Sequence, residues 1–364
     1  MRMTRHSPLP RAAVADPGLA RPDWTKGQPR DPGKLWLDKN ENGDLELSRL
    51  VAQVMRALPP EAYFTYPESG PLYRKLAGRL SVAPENLVLT AGSDGAIRAC
   101  FEAYVDPGDT VIHTNPTFAM YSVYSRMYGA RAVALDYRPS NDGPALAAKT
   151  VIDAIGRERP KLVGLPNPDS PTGTAFDPPS LERIVAAAAE AGALMLIDEA
   201  YHPFLPWTAL PWIGRYPNLV VARSTGKAWG LAGLRIGYAA ASAEVAKMLH
   251  KVRPMYEVNT VAVHAFERLL DHEEAMRASV ARLMEGKEAF LAAMGALGYR
   301  TLAGHGNFLH VAFGARAERV HAALEPLAYY RKDFAEPALK GFSRFSATTA
   351  ALFQPLIDAV REVS

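Results

Sequence analysis

The residues best suited to covalent chemistry lie in one 15-residue string, Ser224-Thr225-Gly226-Lys227-Ala228-Trp229-Gly230-Leu231-Ala232-Gly233-Leu234-Arg235-Ile236-Gly237-Tyr238. Its glycines let the backbone approach an anion closely. A lysine held near a second cation and partly desolvated has a lowered pKa, which frees a neutral amine to form a Schiff base. A lone lysine beside a glycine-rich turn is ordinarily a surface lysine; the whole string is far more specific. The second group is Leu196-Ile197-Asp198-Glu199-Ala200-Tyr201, an acidic pair ending an apolar run. A carboxylate there is costly to bury unless a cation partners it. A protonated pyridinium nitrogen is one such cation; a helix N-cap or a structural ion pair is the plainer alternative. The third, Ala91-Gly92-Ser93-Asp94-Gly95-Ala96, offers a hydroxyl and free backbone N–H groups at a helix start, either an anion site or a simple cap. The fourth, Asn167-Pro168-Asp169-Ser170-Pro171-Thr172-Gly173, is by itself a turn-rich loop.

Each of these groups follows a short apolar run. LVLT (87–90), VIHT (111–114), RAVALDY (131–137), KLVGLP (161–166), LMLIDEA (194–200) and LVVARS (219–224) read as strands, with helical stretches such as 179–191 between them. That rhythm predicts βαβ units and a mostly parallel, helix-covered sheet, whose ligands bind beyond the carboxyl ends of its strands. Residues 243–298 read as two or more helices. NFLHVAF, a helix near 316–327, YYRKDF, GFSRFSAT and a last helix over 351–362 suggest a smaller α+β domain. The expected division is an N-terminal arm at 1–34, rich in Pro and Arg, a large domain at 35–255 and a small C-terminal domain at 256–364.

The chain has 364 residues, 48% of them apolar and 22% charged, the composition of a globular protein with a large core. Lys and Arg number 41 against 38 Asp and Glu, a net charge of +3, too balanced for a dedicated nucleic-acid binder. Cys100 is the single cysteine, so an intrachain disulfide or a cysteine zinc site is excluded and a reducing compartment fits. No apolar run reaches about 18 residues; 184–197 is short and broken by Glu190, so no membrane span is expected. The first 20 residues lack an apolar segment of signal-peptide type. A cytoplasmic, metal-free protein is expected.

Taken together and in this order, the four groups resemble the fold-type I, class I/II pyridoxal-phosphate aminotransferases, and most of all the histidinol-phosphate aminotransferase branch. The resemblance runs from about Leu37 to the C-terminus; STGKAWGLAGLRIGY and LIDEAY carry it most strongly. It implies that Lys227 is the Schiff-base lysine, that Asp198 pairs with the pyridinium nitrogen, and that Tyr201 bonds the ring 3′-oxygen. Ser93, Asp94 and Gly95 match the phosphate-cupping turn, Ser224 and Arg235 further phosphate ligands, and Phe118 in NPTFAMY the aromatic that stacks on the ring. Tyr66, in FTYPESG, matches a tyrosine reaching the phosphate of the neighbouring subunit's cofactor, which implies a homodimer with shared sites. Arg344, in GFSRFSAT, matches the arginine that clamps the substrate carboxylate, a task suited to its planar fork. Asn40 and Asn42, in LDKNENG, match a segment near the substrate entrance, and Asn307-Phe308 resembles the family's ANF segment.

Two positions depart from the family pattern. Ser170 stands where Asn usually bonds the cofactor's 3′-oxygen, and Gly226 where a serine usually precedes the lysine. The resemblance implies that free Lys227 moves a proton between the substrate α-carbon and the cofactor, Asp198 keeps the ring nitrogen protonated, and Arg344 fixes the carboxylate. The rival reaction on the same fold is decarboxylation or lyase chemistry on an amino acid or phospho-amino acid. A cofactor-sensing regulator would need a DNA-binding domain, for which residues 1–34 are too short and Pro-rich. His202, Trp229, Tyr63 and Arg331 have either a site role or a purely structural one, and Cys100 reads as core.

Overall fold

The computed structural model describes residues 9–19, 27 and 29–364. The remainder of the expected arm lies outside the described residues; its described part includes a short helix, Ala12–Ala15, with Arg11 donating to the Met127 carbonyl at 3.4 Å. In chain order the strands are β1 (Leu35–Trp36), β2 (Leu87–Thr90), β3 (Thr110–Asn115), β4 (Arg131–Asp136), β5 (Leu162–Pro166), β6 (Leu194–Asp198), β7 (Leu219–Ser224), β8 (Gly237–Ala241), β9 (Arg300–Leu302), β10 (Phe308–Ala312), β11 (Ala328–Tyr329) and β12 (Ser343–Ser346).

Seven strands form the main sheet, in the order β2-β8-β7-β6-β5-β3-β4. Only β8 runs against its neighbours. Every residue of β5, β6 and β8 is buried, as expected for central strands covered on both faces. Alternation sends Val163, Leu165, Met195, Ile197 and Val221 into one apolar core, with the helices Gly70–Leu80, Ala148–Glu158 and Pro178–Glu190. Leu162, Leu194, Leu196, Val220 and Ala222 enter the opposite core, with the helices Gly92–Tyr104 and Ala243–Val252. The helix Pro178–Glu190 starts where Asp177 caps the Ser180 N–H at 2.9 Å and two prolines fill the first turn.

The smaller part pairs β9, β10 and β12 in an antiparallel sheet. Its core gathers Leu309, Val311, Phe345, Phe353 and Leu356 with Phe290 and Met294 of the long helix Glu273–Ala296. Leu37 joins this core, although it precedes the main sheet in sequence. Val258, Ala262, Val263 and Phe266 pack in the sheet-side core. Among the described residues no helix is long and apolar enough to cross a membrane, and no group of three His, Cys, Asp or Glu could hold a metal.

Candidate active site

Strands β2, β5, β6 and β7 point the same way, so their last residues, Thr90, Pro166, Asp198 and Ser224, arrive at one edge of the sheet. Beyond that edge lies a cavity of about 710 Å³, a size typical of small-molecule sites. Lys227, Asp198, Tyr201, Ser93, Asp94, Phe118, Ser170, Ser224 and Arg235 all line it, together with Lys39 and Gly92. Five loops far apart in sequence thus deliver the residues singled out above to one place.

Lys227 sits in the loop after β7, which is closed on itself: Thr225 Oγ1 donates to the Ile236 carbonyl at 2.7 Å, and the Gly226 N–H to Ser224 Oγ at 3.1 Å. A side chain at 226 would put its Cβ 3.2 Å from Ala232 Cα, so the usual serine would crowd this turn. The Lys227 amine donates to the Lys39 carbonyl at 2.8 Å. Burial, reinforced by the nearby Arg344, pulls its pKa down to about 8. Asp198 is buried, and the Ala200 N–H donates to its Oδ1 at 3.0 Å. Burial pushes its pKa up to about 7, with the neighbouring carboxylates of Asp169, Asp94 and Glu199 adding to the rise.

Tyr201 is buried, and its phenol oxygen accepts a 2.8 Å hydrogen bond from Asn40 Nδ2. At the far end, Gly92 adopts φ +76°, and a Cβ there would lie 3.1 Å from the Arg235 guanidinium, a close approach that suits glycine. Arg235 Nη2 donates to the Ala91 carbonyl at 3.2 Å, and Tyr124 donates to Asp94 at 3.0 Å. Gly95 is one turn further along the same helix, against Glu257 and Thr90 rather than on the cavity wall. Arg344 donates from Nη2 to the Asp38 carbonyl at 2.9 Å and from Nη1 to Ser170 Oγ at 3.4 Å, while its Nε is buried with no partner.

Two expected residues stand elsewhere. Asn42 does not line the cavity: its amide donates to the carbonyl of Ala228, next to Lys227, at 3.0 Å and to Ser279 Oγ at 3.1 Å. Its neighbour Asn40 is the one that reaches the site. Tyr66 is 71% exposed and stacks on Tyr256 at 4.1 Å, outside its own chain's cavity. Asp169 went unnoticed in sequence because it lies in a turn. It is fully buried and accepts from Thr114 (2.6 Å), Thr117 (2.8 Å) and Tyr137 (2.8 Å), which ties the Ser170 loop to β3. His202 is half-buried beside a separate cleft, and Arg331 pairs with Glu336 at 3.2 Å.

The model of the class I and II aminotransferase family matches residues 32–360. The chain belongs to this family. Its relatives include histidinol-phosphate aminotransferases from Caldanaerobacter subterraneus subsp. tengcongensis, 31% identical over 91% of this chain and 93% of that one, and from Roseiflexus castenholzii, 33% identical over 90% and 89%. The crystal structure of the Sinorhizobium meliloti histidinol-phosphate aminotransferase in complex with pyridoxal-5′-phosphate superposes with a TM-score of 0.76, at 25% identity over 90% of each chain. This is the fold-type I aminotransferase architecture, and the chain is a pyridoxal-phosphate-dependent transaminase. The site fits that cofactor: a buried carboxylate with no ion-pair partner among the described residues, a lysine with a lowered pKa, and an arginine beside the helix start where an anion would rest.

Proposed function

We propose that the chain transfers the amino group of an amino compound with an anionic end, of the histidinol phosphate type, to a 2-oxo acid. The observation carrying this reading is that Lys227 and Asp198 line one cavity, the amine with its pKa lowered to about 8 and the carboxylate without an ion-pair partner among the described residues. Pyridoxal phosphate, when bound, supplies an electron-accepting ring. Asp198 holds a proton on the ring nitrogen. Tyr201, oriented by Asn40, bonds the 3′-oxygen. Ser93 and Asp94 at the helix start, with Ser224 and Arg235, would hold the phosphate, and Phe118 would cover the ring face. Lys227 Nζ would hold the cofactor through its aldehyde carbon; once the substrate's amine replaces it there, the freed Nζ would take the substrate's α-proton and deliver it, across the intervening nitrogen, to that former aldehyde carbon. Arg344, whose Nε lacks a partner, receives the substrate's anionic group at the Ser170 edge.

The same reading makes the protein a cytoplasmic homodimer whose Tyr66 completes the partner's phosphate site. Phe64 and Met255, 74% and 78% exposed beside the Tyr66–Tyr256 stack, are apolar surface of the kind an interface covers. The reading also divides the chain into a large cofactor-binding domain at 35–255 and a small C-terminal domain at 256–364, with the helix Thr260–Leu269 packed on the large one. The test is to mix purified protein, pyridoxal phosphate, histidinol phosphate and 2-oxoglutarate and to follow glutamate. Glutamate formation supports the reading. Carbon dioxide release from an amino acid without any transfer to an oxo acid would replace it with the decarboxylase alternative.

A further inference from the structure

The helix Glu273–Ala296 turns Ser279, Leu283, Gly286, Lys287, Phe290 and Met294 inward, an i, i+3, i+4 stripe in which Lys287 is the anomaly. This lysine is 2% exposed. An amine at that depth is costly unless its donors are used. Here they reach two main-chain carbonyls, those of Gly304 and Gly306, each at 3.0 Å. Both glycines have positive φ, +50° and +92°, in the loop that joins β9 to β10. The transamination described above makes no use of Lys287.

That loop packs against two segments that carry cavity residues. The His305 N–H donates to the Gly173 carbonyl at 2.7 Å, and Gly304 lies so close to Gly173 that a Cβ on Gly173 would stand 3.0 Å from Gly304 Cα. Gly173 ends the turn that carries Ser170. Gly306 lies against Tyr201, where a Cβ would fall 3.2 Å from the ring. One residue on, Asn307 Nδ2 donates to the Asn40 carbonyl at 3.0 Å, and Asn40 in turn bonds the Tyr201 phenol.

We propose that Lys287 is a positioning residue for the cofactor site: by gathering the carbonyls of Gly304 and Gly306 it holds the loop over residues 304–307 against Tyr201 and Gly173, and so sets the direction of the Tyr201 phenol. The proposal rests on the reading of Tyr201 as the partner of the cofactor's 3′-oxygen. A methionine at 287 keeps the length of the side chain and leaves both carbonyls without a donor, an arrangement that does not persist without movement of the loop.

The experiment uses full-length protein loaded with pyridoxal phosphate and measures the pH midpoint of the bound cofactor's visible band, with the melting temperature recorded in parallel. Tyr201→Phe sets the scale. Lys287→Met is expected to move the midpoint in the same direction as Tyr201→Phe, by about 0.5 unit or more, because a hydrogen bond to one protonation state has been weakened. Gly306→Ala, which pushes the loop onto the same ring, is the second variant and decides the matter if Lys287→Met does not fold. A midpoint moved by Tyr201→Phe but left in place by Lys287→Met, with only the melting temperature lowered, overturns the role of Lys287 and leaves that of Tyr201 intact. A midpoint unmoved by Tyr201→Phe overturns both.

Discussion

Asp198 and Glu199 are adjacent in the chain, equally buried, and treated in opposite ways. Glu199 is saturated: Arg223 donates to it twice at 3.0 Å, Thr208 at 2.7 and 2.9 Å, and the Ala209 N–H at 2.6 Å. Asp198 is given the Ala200 N–H and a cavity. At the end of β6 the chain therefore satisfies one carboxylate with its own residues and leaves its neighbour facing the cavity, where the function proposed above gives it the cofactor's ring nitrogen. The pair separates what folding uses from what the reaction uses, at a distance of one residue.

The sharpest way to break this contrast is to neutralise each member. Asp198→Asn should lower turnover by about 10³-fold, since it removes a preorganised charge, yet should not destabilise the cofactor-free protein, because the amide keeps the Ala200 hydrogen bond and removes a buried charge. Steady-state rates and urea titration measure the two. Glu199→Gln should do the reverse, costing about 3 kcal/mol because Arg223 is left as a buried unpaired charge, with the folded fraction turning over at close to the normal rate. If the two substitutions had the same profile, the contrast would be wrong.

Two pH dependences sharpen it further. The Lys227 pKa is lowered to about 8, so the reactive neutral amine predominates above that pH. Capture of pyridoxal phosphate by cofactor-free protein, followed by its visible band, should quicken with a midpoint near pH 8; a midpoint near that of an ordinary lysine, about 10.4, would contradict the desolvated site. The Asp198 pKa is raised to about 7, so the folded state holds this proton more tightly than the unfolded chain does. That stabilisation is fully present below the unfolded carboxylate value and is lost as pH rises towards 7. Between pH 5 and pH 8 the cofactor-free protein should therefore lose more stability than Asp198→Asn, a smaller effect readable from urea midpoints.

Much of this was legible in the sequence, for a physical reason. Parallel strands buried on both faces must be continuous apolar runs, and β2 and β7 coincide with the runs at 87–90 and 219–224, each with its chemistry directly after it. β8 was not legible: Gly237–Ala241 is glycine and alanine with one tyrosine, without the β-branched residues that mark a strand, and its small side chains suit the close approach of the helix Gly92–Tyr104. Asn40 and Asn42 share a motif and a composition, and only the backbone decides which amide meets Tyr201. Asp169 and Lys287 gave no signal at all, since a charged residue in a turn or on a helix is ordinarily solvated. Their burial depends on what the rest of the fold brings to them.

The central claim is that the amine at 227, and no other lysine, condenses with the cofactor, and Lys287 makes the test demanding because burial lowers its pKa to about 8 as well. Reducing the pyridoxal-phosphate-loaded protein with borohydride and mapping the modified peptide by mass spectrometry decides between them. The account predicts a single cofactor adduct on Lys227 that disappears, with all turnover, in Lys227→Ala. An adduct on Lys39 or Lys287, or full turnover in Lys227→Ala, would contradict it.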